Sequence, residues 1–133
     1  MLVKLWRGQK AMFAMMLLFI CILAGASGQI CWKHAMNNRE EIRDINSLFN
    51  AKTIFGIITD KYIIAGLMFY GFALIFWLGA MSTLEISFMY PMLSLGYVIV
   101  AVMAFIFLGE NIALARWAGI ALIVVGSILI TRG

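Results

Sequence analysis

The sequence predicts an all-α membrane protein with four transmembrane helices and an interfacial amphipathic segment between the first two. Composition is the first reason, because 65% of the 133 residues are hydrophobic and only 12% are charged. A soluble surface needs roughly 25–35% charged residues, so a soluble domain of this length would leave much apolar surface uncovered. The second reason is four apolar runs, each near the ~20 residues with which a helix crosses a bilayer.

The runs follow one another along a single predicted domain, residues 1–133, since a chain of this size has room for one compact bundle. We predict spans at 11–32, 62–82, 86–109 and 112–131. The links after the second and third spans are very short, at 83–85 and 110–111. Such links force neighbouring spans into up-and-down hairpins.

The first span has two competing interpretations. Basic residues Lys4, Arg7 and Lys10 precede it, and it decays into small residues at 24–28, as a secretory signal peptide does before cleavage. However, the apolar run continues through residues 30–32 to a length sufficient to cross the membrane. We therefore expect the helix to be retained and functional, and its basic start favours cytoplasmic termini.

The link between the first two spans is long and charged. The sequence Asn38-Arg39-Glu40-Glu41 has the spacing of a capping box, which predicts the start of a short solvated helix. An apolar face follows at helical spacing and predicts a segment lying in the membrane interface; it consists of Leu48, Ala51, Phe55 and Ile58. An irregular loop is the alternative.

Other functional classes find no support in the residues. The net charge of +4 comes from basic residues at membrane edges, mixed with acids, so no nucleic-acid partner is expected. Cys21 and Cys31 lack the spacing of metal ligands and are interpreted as packing residues, and His34 stands alone. The sequence shows no nucleophile with a base and no phosphate-binding loop. We expect neither an enzyme nor a metal, and no cofactor.

Polar residues inside the third span carry functional information, because each is costly in lipid unless it faces protein or water. Ser87, Tyr90, Ser94 and Tyr97 follow at steps of three, four and three, which places them on one helical face. Pro91 frees a backbone carbonyl and is predicted to act as a hinge. The face either lines a cavity or joins neighbouring helices by hydrogen bonds.

The first two spans repeat this pattern. On the first, Gly25, Gln29 and Lys33 follow at steps of four, so a small-residue notch leads to an amide and then to a cation. On the second, Tyr70 and Trp77 share a face with small residues. The predicted substrate-binding set is Gly25, Gln29, Lys33, Tyr70, Trp77, Ser87, Tyr90, Ser94 and Tyr97.

The fourth span is almost free of polar atoms and has two glycines seven residues apart on one face. Such a face lets another helix approach closely. We predict a dimer interface there, formed by Gly119, Ile123 and Gly126.

Three motifs resemble known transporters. The stretch GIALIVVGS on the last span resembles the small multidrug resistance transporters of the drug/metabolite transporter superfamily. The motifs GQICWK and YPMLSL are similar to the small flippase subunits for undecaprenyl-phosphate-linked aminoarabinose. The resemblance implies a multi-pass protein of a prokaryotic inner membrane. It also implies a lipid-linked sugar phosphate as substrate, and a homodimer or a heterodimer with a related small subunit.

One departure from the multidrug branch affects the predicted function. Those exporters carry a membrane-embedded glutamate on the first helix, and the resemblance puts Gly25 at that place. Without the carboxylate, export of cations in exchange for protons is disfavoured. The predicted function is a flippase for a polyprenyl-phosphate-linked sugar, with Lys33, and also Arg116, near the phosphate. The alternatives are an exporter of small metabolites or cations, and an accessory subunit that does not transport.

Overall fold

The structure, a computed structural model, describes residues 2–39 and 44–132, with side chains for 8–39, 44–130 and 132. The described residues form helices and no strand, which confirms the predicted all-α membrane protein. The helices are α1 (Leu2–Asn37), α2 (Ile45–Leu48), α3 (Ala51–Ile58), α4 (Lys61–Met81), α5 (Ile86–Leu93), α6 (Leu95–Leu108) and α7 (Leu114–Arg132).

Within the described part of the chain, three stretches are long and apolar enough to cross a membrane: Gly8–Asn37, Lys61–Met81 and Ile86–Leu108. The third combines α5 with α6. The fourth predicted span corresponds to α7, whose apolar stretch, Leu114–Ile130, is shorter than these. A helix of 19 residues is about 28 Å long, close to a hydrocarbon thickness of ~30 Å. That α7 crosses the membrane stays a prediction.

Helix α1 lies at the centre of the bundle. It makes its most extensive contact with α4 and also contacts α6, whereas α7 packs mainly against α5 and α6. Because successive spans reverse direction, α1 and α6 run the same way. Near the termini these helices enclose a buried apolar cluster of Leu18, Ile22, Ala80, Met89 and Met92.

The contact between α1 and α4 depends on two glycines. A Cβ added to Gly28 would lie 2.9 Å from the carbonyl oxygen of Gly66, and one added to Gly66 would lie 2.9 Å from that of Gly28. The two backbones are therefore too close for any larger residue, as in small-residue packing between membrane helices. Beside the crossing, the rings of Trp32 and Tyr70 stack at 4.6 Å. Trp32 also donates its indole N–H to the carbonyl of Ile63 at 3.0 Å.

The third span is interrupted three residues after its proline. Pro91 lies inside α5, and the helix ends at Ser94 before α6 begins. The backbone N–H and the hydroxyl of Ser94 both donate to the carbonyl of Pro91. The N–H of Tyr97 bonds the carbonyl of Ser94, also three residues back. The tighter turn marks a discontinuity, and the role of Pro91 as a hinge stays a prediction.

The amphipathic segment consists of two short helices, α2 and α3, separated at Asn50, which accepts the N–H of Lys52 as the N-cap of α3. Its predicted apolar face points away from the bundle, with Phe55 70% and Ile58 62% exposed, while Thr53 is buried against the protein. A segment in the membrane interface, with apolar side chains in lipid, has this arrangement. The predicted capping box includes residues 40 and 41, which lie outside the described residues.

An arginine and an aspartate attach this segment to the bundle. Arg39, just after α1, donates to the carbonyl of Gly56 in α3 and to the carboxylate of Asp60 at 3.1 Å. Asp60 also caps α4 by accepting the N–H of Tyr62 at 2.8 Å. That backbone bond and, less strongly, the guanidinium of Arg39 lower the pKa of the Asp60 carboxyl. The Arg39–Asp60 pair thus connects α1, α3 and α4.

Replacing Gly66 with alanine tests the close helix crossing. The added methyl group would collide with the backbone of Gly28 and with the Trp32 ring, so we expect a loss of about 1–3 kcal/mol in stability. Thermal unfolding in detergent measures the effect. Gly71 is the matched control on the same helix, because a Cβ there meets nothing within 4 Å. Equal midpoints for Gly66→Ala and Gly71→Ala would contradict this description of the contact.

Candidate functional site

A cavity of about 350 Å³ lies between α1, α4 and the α5–α6 span. Small residues on α1 create much of the space, namely Cys21, Gly25 and Ala26. A Cβ added to Gly25 meets no atom within 4 Å, so this position opens directly into empty space. Ala73 of α4 and Gly96 of α6 continue the small-residue wall on the other helices.

Polar groups on all three walls interrupt this apolar lining. Gln29 of α1 donates its amide to the hydroxyl of Tyr70 on α4 at 2.9 Å. Tyr97 contributes a phenol from α6, and Trp77 contributes an indole from α4. Tyr97 is 65% exposed, so the cavity is a cleft with one open side. Amide and hydroxyl groups in such a place can both donate and accept hydrogen bonds to a polar ligand.

Five of the nine residues predicted to bind substrate line this cleft. They come from three different spans and are Gly25, Gln29, Tyr70, Trp77 and Tyr97. The structure therefore brings together residues that the helical spacing indicates separately on each span. Their contact with a substrate stays a prediction.

The other three residues of the predicted stripe on the third span lie elsewhere. Ser87 is exposed, 3.5 Å from a carboxylate oxygen of Glu85. Tyr90 is also exposed and meets Trp77 edge to face at 5.6 Å. Ser94 bonds the hydroxyl of Ser127 on α7 at 3.0 Å. The inward face of α5 is occupied by two buried methionines, so the stripe does not line the cleft as a unit.

Lys33 also lies outside the lining, one helical turn beyond Gln29. Its ammonium group is 3.6 Å from a carboxylate oxygen of Glu110, with the two side chains 52% and 37% exposed. The pair joins α1 to the turn after α6, at the end of the cleft away from the chain termini. Arg116 is exposed near the start of α7, and neither it nor Lys33 lines the cleft.

Sequence reasoning missed several residues of the site. Leu74, Gly96 and Val100 line the cleft but have no polar group to distinguish them from lipid-facing residues. Glu110 lies at the end of the third span, where nothing in the sequence indicates that its carboxylate reaches Lys33. Ser127 is buried and bonded to Ser94. It lies within the glycine-rich motif of the last span, and its hydroxyl, in an otherwise apolar stretch, is the feature that could have indicated a contact with another helix.

The predicted dimer residues lie on α7, outside the cleft. Gly119 and Gly126 have open space where a Cβ would be, and Ile123 is half-buried. Another side of the helix faces the bundle through the buried Ile120 and Ser127. The glycine face of α7 is therefore uncovered in the single chain.

Among the described residues, no group of three or more His, Cys, Asp or Glu is placed to hold a metal ion.

The fold and the cleft define a multi-pass membrane protein with a polar cleft enclosed by apolar helices. Comparison with known proteins gives the family. The probable 4-amino-4-deoxy-L-arabinose-phosphoundecaprenol flippase subunit ArnE of Proteus mirabilis is 34% identical over 119 residues, which cover 89% of this chain and 96% of that protein. This chain therefore belongs to the family of those flippase subunits, as the motifs of the first and third spans predicted.

Other comparisons agree in part. The protein of the same name from Yersinia pseudotuberculosis is 29% identical over 118 residues, covering 87% of this chain and 94% of that protein. An uncharacterized protein, y4nH, from Sinorhizobium fredii is 35% identical over 71 residues, covering 53% of this chain. No family model matches the chain, and no solved structure matches it. The named relatives are flippase subunits rather than enzymes.

The contact between Ser94 and Ser127 can be tested by a double-mutant cycle. If the hydroxyls join the turn between α5 and α6 to α7, the variants Ser94→Ala and Ser127→Ala should show a coupling of about 0.6 kcal/mol, typical of hydrogen bonds between membrane helices. Unfolding in mixed micelles measures it. Ser87→Ala is the control, because that hydroxyl is exposed. Strictly additive effects of the two replacements would show that the bond contributes nothing.

Proposed function

We propose that this chain is one subunit of a dimeric flippase that carries a polyprenyl-phosphate-linked sugar across the inner membrane of a bacterium. The observation that supports it is the open-sided cleft, in which an amide and two phenols face a cavity among apolar helices. Family membership supports the choice of substrate, since relatives are named for 4-amino-4-deoxy-L-arabinose-phosphoundecaprenol. We take this lipid as the substrate.

The cleft suits a headgroup that must leave water. A hydroxyl moved into an apolar environment without a hydrogen-bond partner costs several kcal/mol. Gln29, Tyr70 and Tyr97 offer partners in place of water, and the volume of about 350 Å³ is of the size that holds one small ligand. The open side lets the polyprenyl tail stay in the bilayer while the sugar occupies the cleft.

The cleft does not suit exchange of a cation for protons. Among the described residues that line it, none is Asp or Glu. Gly25, at the place where the multidrug exporters carry their glutamate, opens into the cleft with no side chain. An uncharged lining favours a ligand whose sugar makes hydrogen bonds, rather than a cation that needs a counter-charge at the membrane midplane.

Alternating access is assigned to the interruption in the third span. Pro91 and the tight turn at Ser94 separate α5, which is anchored by buried methionines, from α6, which carries Tyr97. A small rotation of α6 about this turn would move Tyr97 and change the cleft opening.

Dimerisation is assigned to the glycine face of α7. In the described chain, three spans form the walls of the cleft, and Gly119 and Gly126 on α7 are left uncovered. A second subunit packed there would complete the bundle, because small residues let membrane helices approach closely. The second subunit is either another copy of this chain or a related small subunit.

Replacing Tyr97 with phenylalanine tests the cleft. The ring stays and one hydroxyl is lost, so translocation of the sugar lipid should fall by about twofold to thirteenfold, which corresponds to one hydrogen bond of about 0.5–1.5 kcal/mol. The rate is measured in vesicles, per amount of folded protein. Tyr62→Phe is the control, since Tyr62 contacts His34 outside the cleft.

A native rate in Tyr97→Phe would remove Tyr97 from the transport path. The proposed function itself would be overturned if the wild-type chain, reconstituted alone and with a related subunit, moved no lipid-linked sugar.

Replacing Gly126 with leucine tests the subunit interface. A branched side chain should hold the helices apart and lower the crosslinking yield between subunits in membranes at least severalfold. The control is Ala121→Leu, which enlarges an exposed residue on another side of α7. If both variants crosslink as the wild type does, the interface lies elsewhere on the protein.

A further inference from the structure

The ion pair of Lys33 and Glu110 occupies a particular place relative to the cleft. Lys33 continues the α1 face that carries Gly25 and Gln29, one turn nearer the end of the helix. Glu110 follows α6, the helix that carries Tyr97. Since α1 and α6 run in the same direction and form two walls of the cleft, both charges stand at the same end of it.

The position of Glu110 is determined by a left-handed turn. Gly109 ends α6 with φ +65°, a conformation that glycine adopts without steric cost, and the N–H of Glu110 bonds the carbonyl of Ala104 at 3.3 Å. The backbone of Glu110 is thereby folded back over the helix end. Its carboxylate reaches across to Lys33 instead of extending away with the chain.

The pair is open to ligands. Its atoms are 3.6 Å apart, and the side chains are 52% and 37% exposed. An exposed ion pair contributes only about 0–1 kcal/mol, so separating the two groups is inexpensive when each receives a new partner. The level along the bundle also fits, because residue types common at membrane interfaces lie at the same end of the helices. Trp32 precedes Lys33 on α1, and Lys61 lies over the Tyr62 ring at the start of α4.

We propose that Lys33 and Glu110 together recognise a headgroup that carries an ammonium group and a phosphate on the same sugar. This inference rests on the proposed function and assigns the selectivity for the amino sugar to Glu110. The phosphate displaces Glu110 from Lys33, and the ammonium pairs with the released carboxylate. Both charges of the pair and both charges of the ligand then have partners.

A ligand with only one of these charges gains less binding free energy from the pair. A phosphate alone pairs with Lys33 but leaves Glu110 without a counter-charge and close to the phosphate oxygens. An amine alone leaves Lys33 beside the ammonium. The arrangement therefore selects against neutral sugars and against amino sugars whose nitrogen is acylated, while the uncharged cleft accepts the hydroxyls of the ring.

The experiment compares two short-chain polyprenyl-phosphate sugars, one with a free amine and one N-acetylated, by native mass spectrometry of the purified chain in nanodiscs. We expect the wild type to bind the free amine about tenfold more tightly, the scale of a charge-assisted hydrogen bond. Glu110→Gln should lose this preference and bind the acetylated lipid more tightly than the wild type does, because no carboxylate then competes for Lys33 or stands unpaired beside the phosphate. Lys33→Gln should weaken both lipids. Glu85→Gln, an exposed carboxylate near the other end of the bundle, should behave as the wild type does.

The outcomes separate the inference from the proposed function. Equal affinity of the wild type for both lipids, or a preference that survives in Glu110→Gln, would overturn the role of Glu110 while leaving the flippase assignment intact. Binding of neither lipid by the wild type, tested alone and together with a related small subunit, would overturn both. The wild-type comparison needs no variant, so it decides the question even if Glu110→Gln does not fold.

Discussion

The close approach of α1 and α4 at Gly28 and Gly66 is the contact on which the rest of the structure depends. Lipid tails are as apolar as leucine, so burial of apolar surface does not hold membrane helices together, and close packing and hydrogen bonds must do so. The two glycines permit the approach. The Trp32–Tyr70 stack and the bond from Gln29 to Tyr70 then form beside it, and the same approach sets the distance across the cleft.

Charge is distributed in a way that follows from the cost of moving ions into lipid. The described lining of the cleft has hydroxyl, amide and indole groups but no carboxylate, whereas Lys33 and Glu110 stand at its end, with their side chains partly exposed. In the proposed function, such a separation would place the sugar of a lipid headgroup in the cleft and its charges at the membrane surface. Gly25 is the residue that makes the contrast with the multidrug exporters most direct.

The interrupted third span connects the cleft with the last helix. Ser94 closes the turn after Pro91 and also bonds Ser127 of α7. A movement of α6 would therefore act on α7 directly, and α7 carries the uncovered glycine face. In the proposed dimer, opening of the cleft and packing between subunits would be coupled through two serine hydroxyls.

The amino-acid sequence alone determined the all-α membrane class of the protein and its family. The bilayer imposes the helical class, because a backbone in lipid must satisfy its hydrogen bonds within a helix. The motifs GQICWK and YPMLSL identified the relatives. The tertiary structure decided which polar residues meet. Helical spacing placed Ser87, Tyr90, Ser94 and Tyr97 on one face, yet only Tyr97 lines the cleft. Since lipid-facing and buried surfaces are equally apolar, the sequence does not mark which side of a membrane helix faces the protein, and packing settles it.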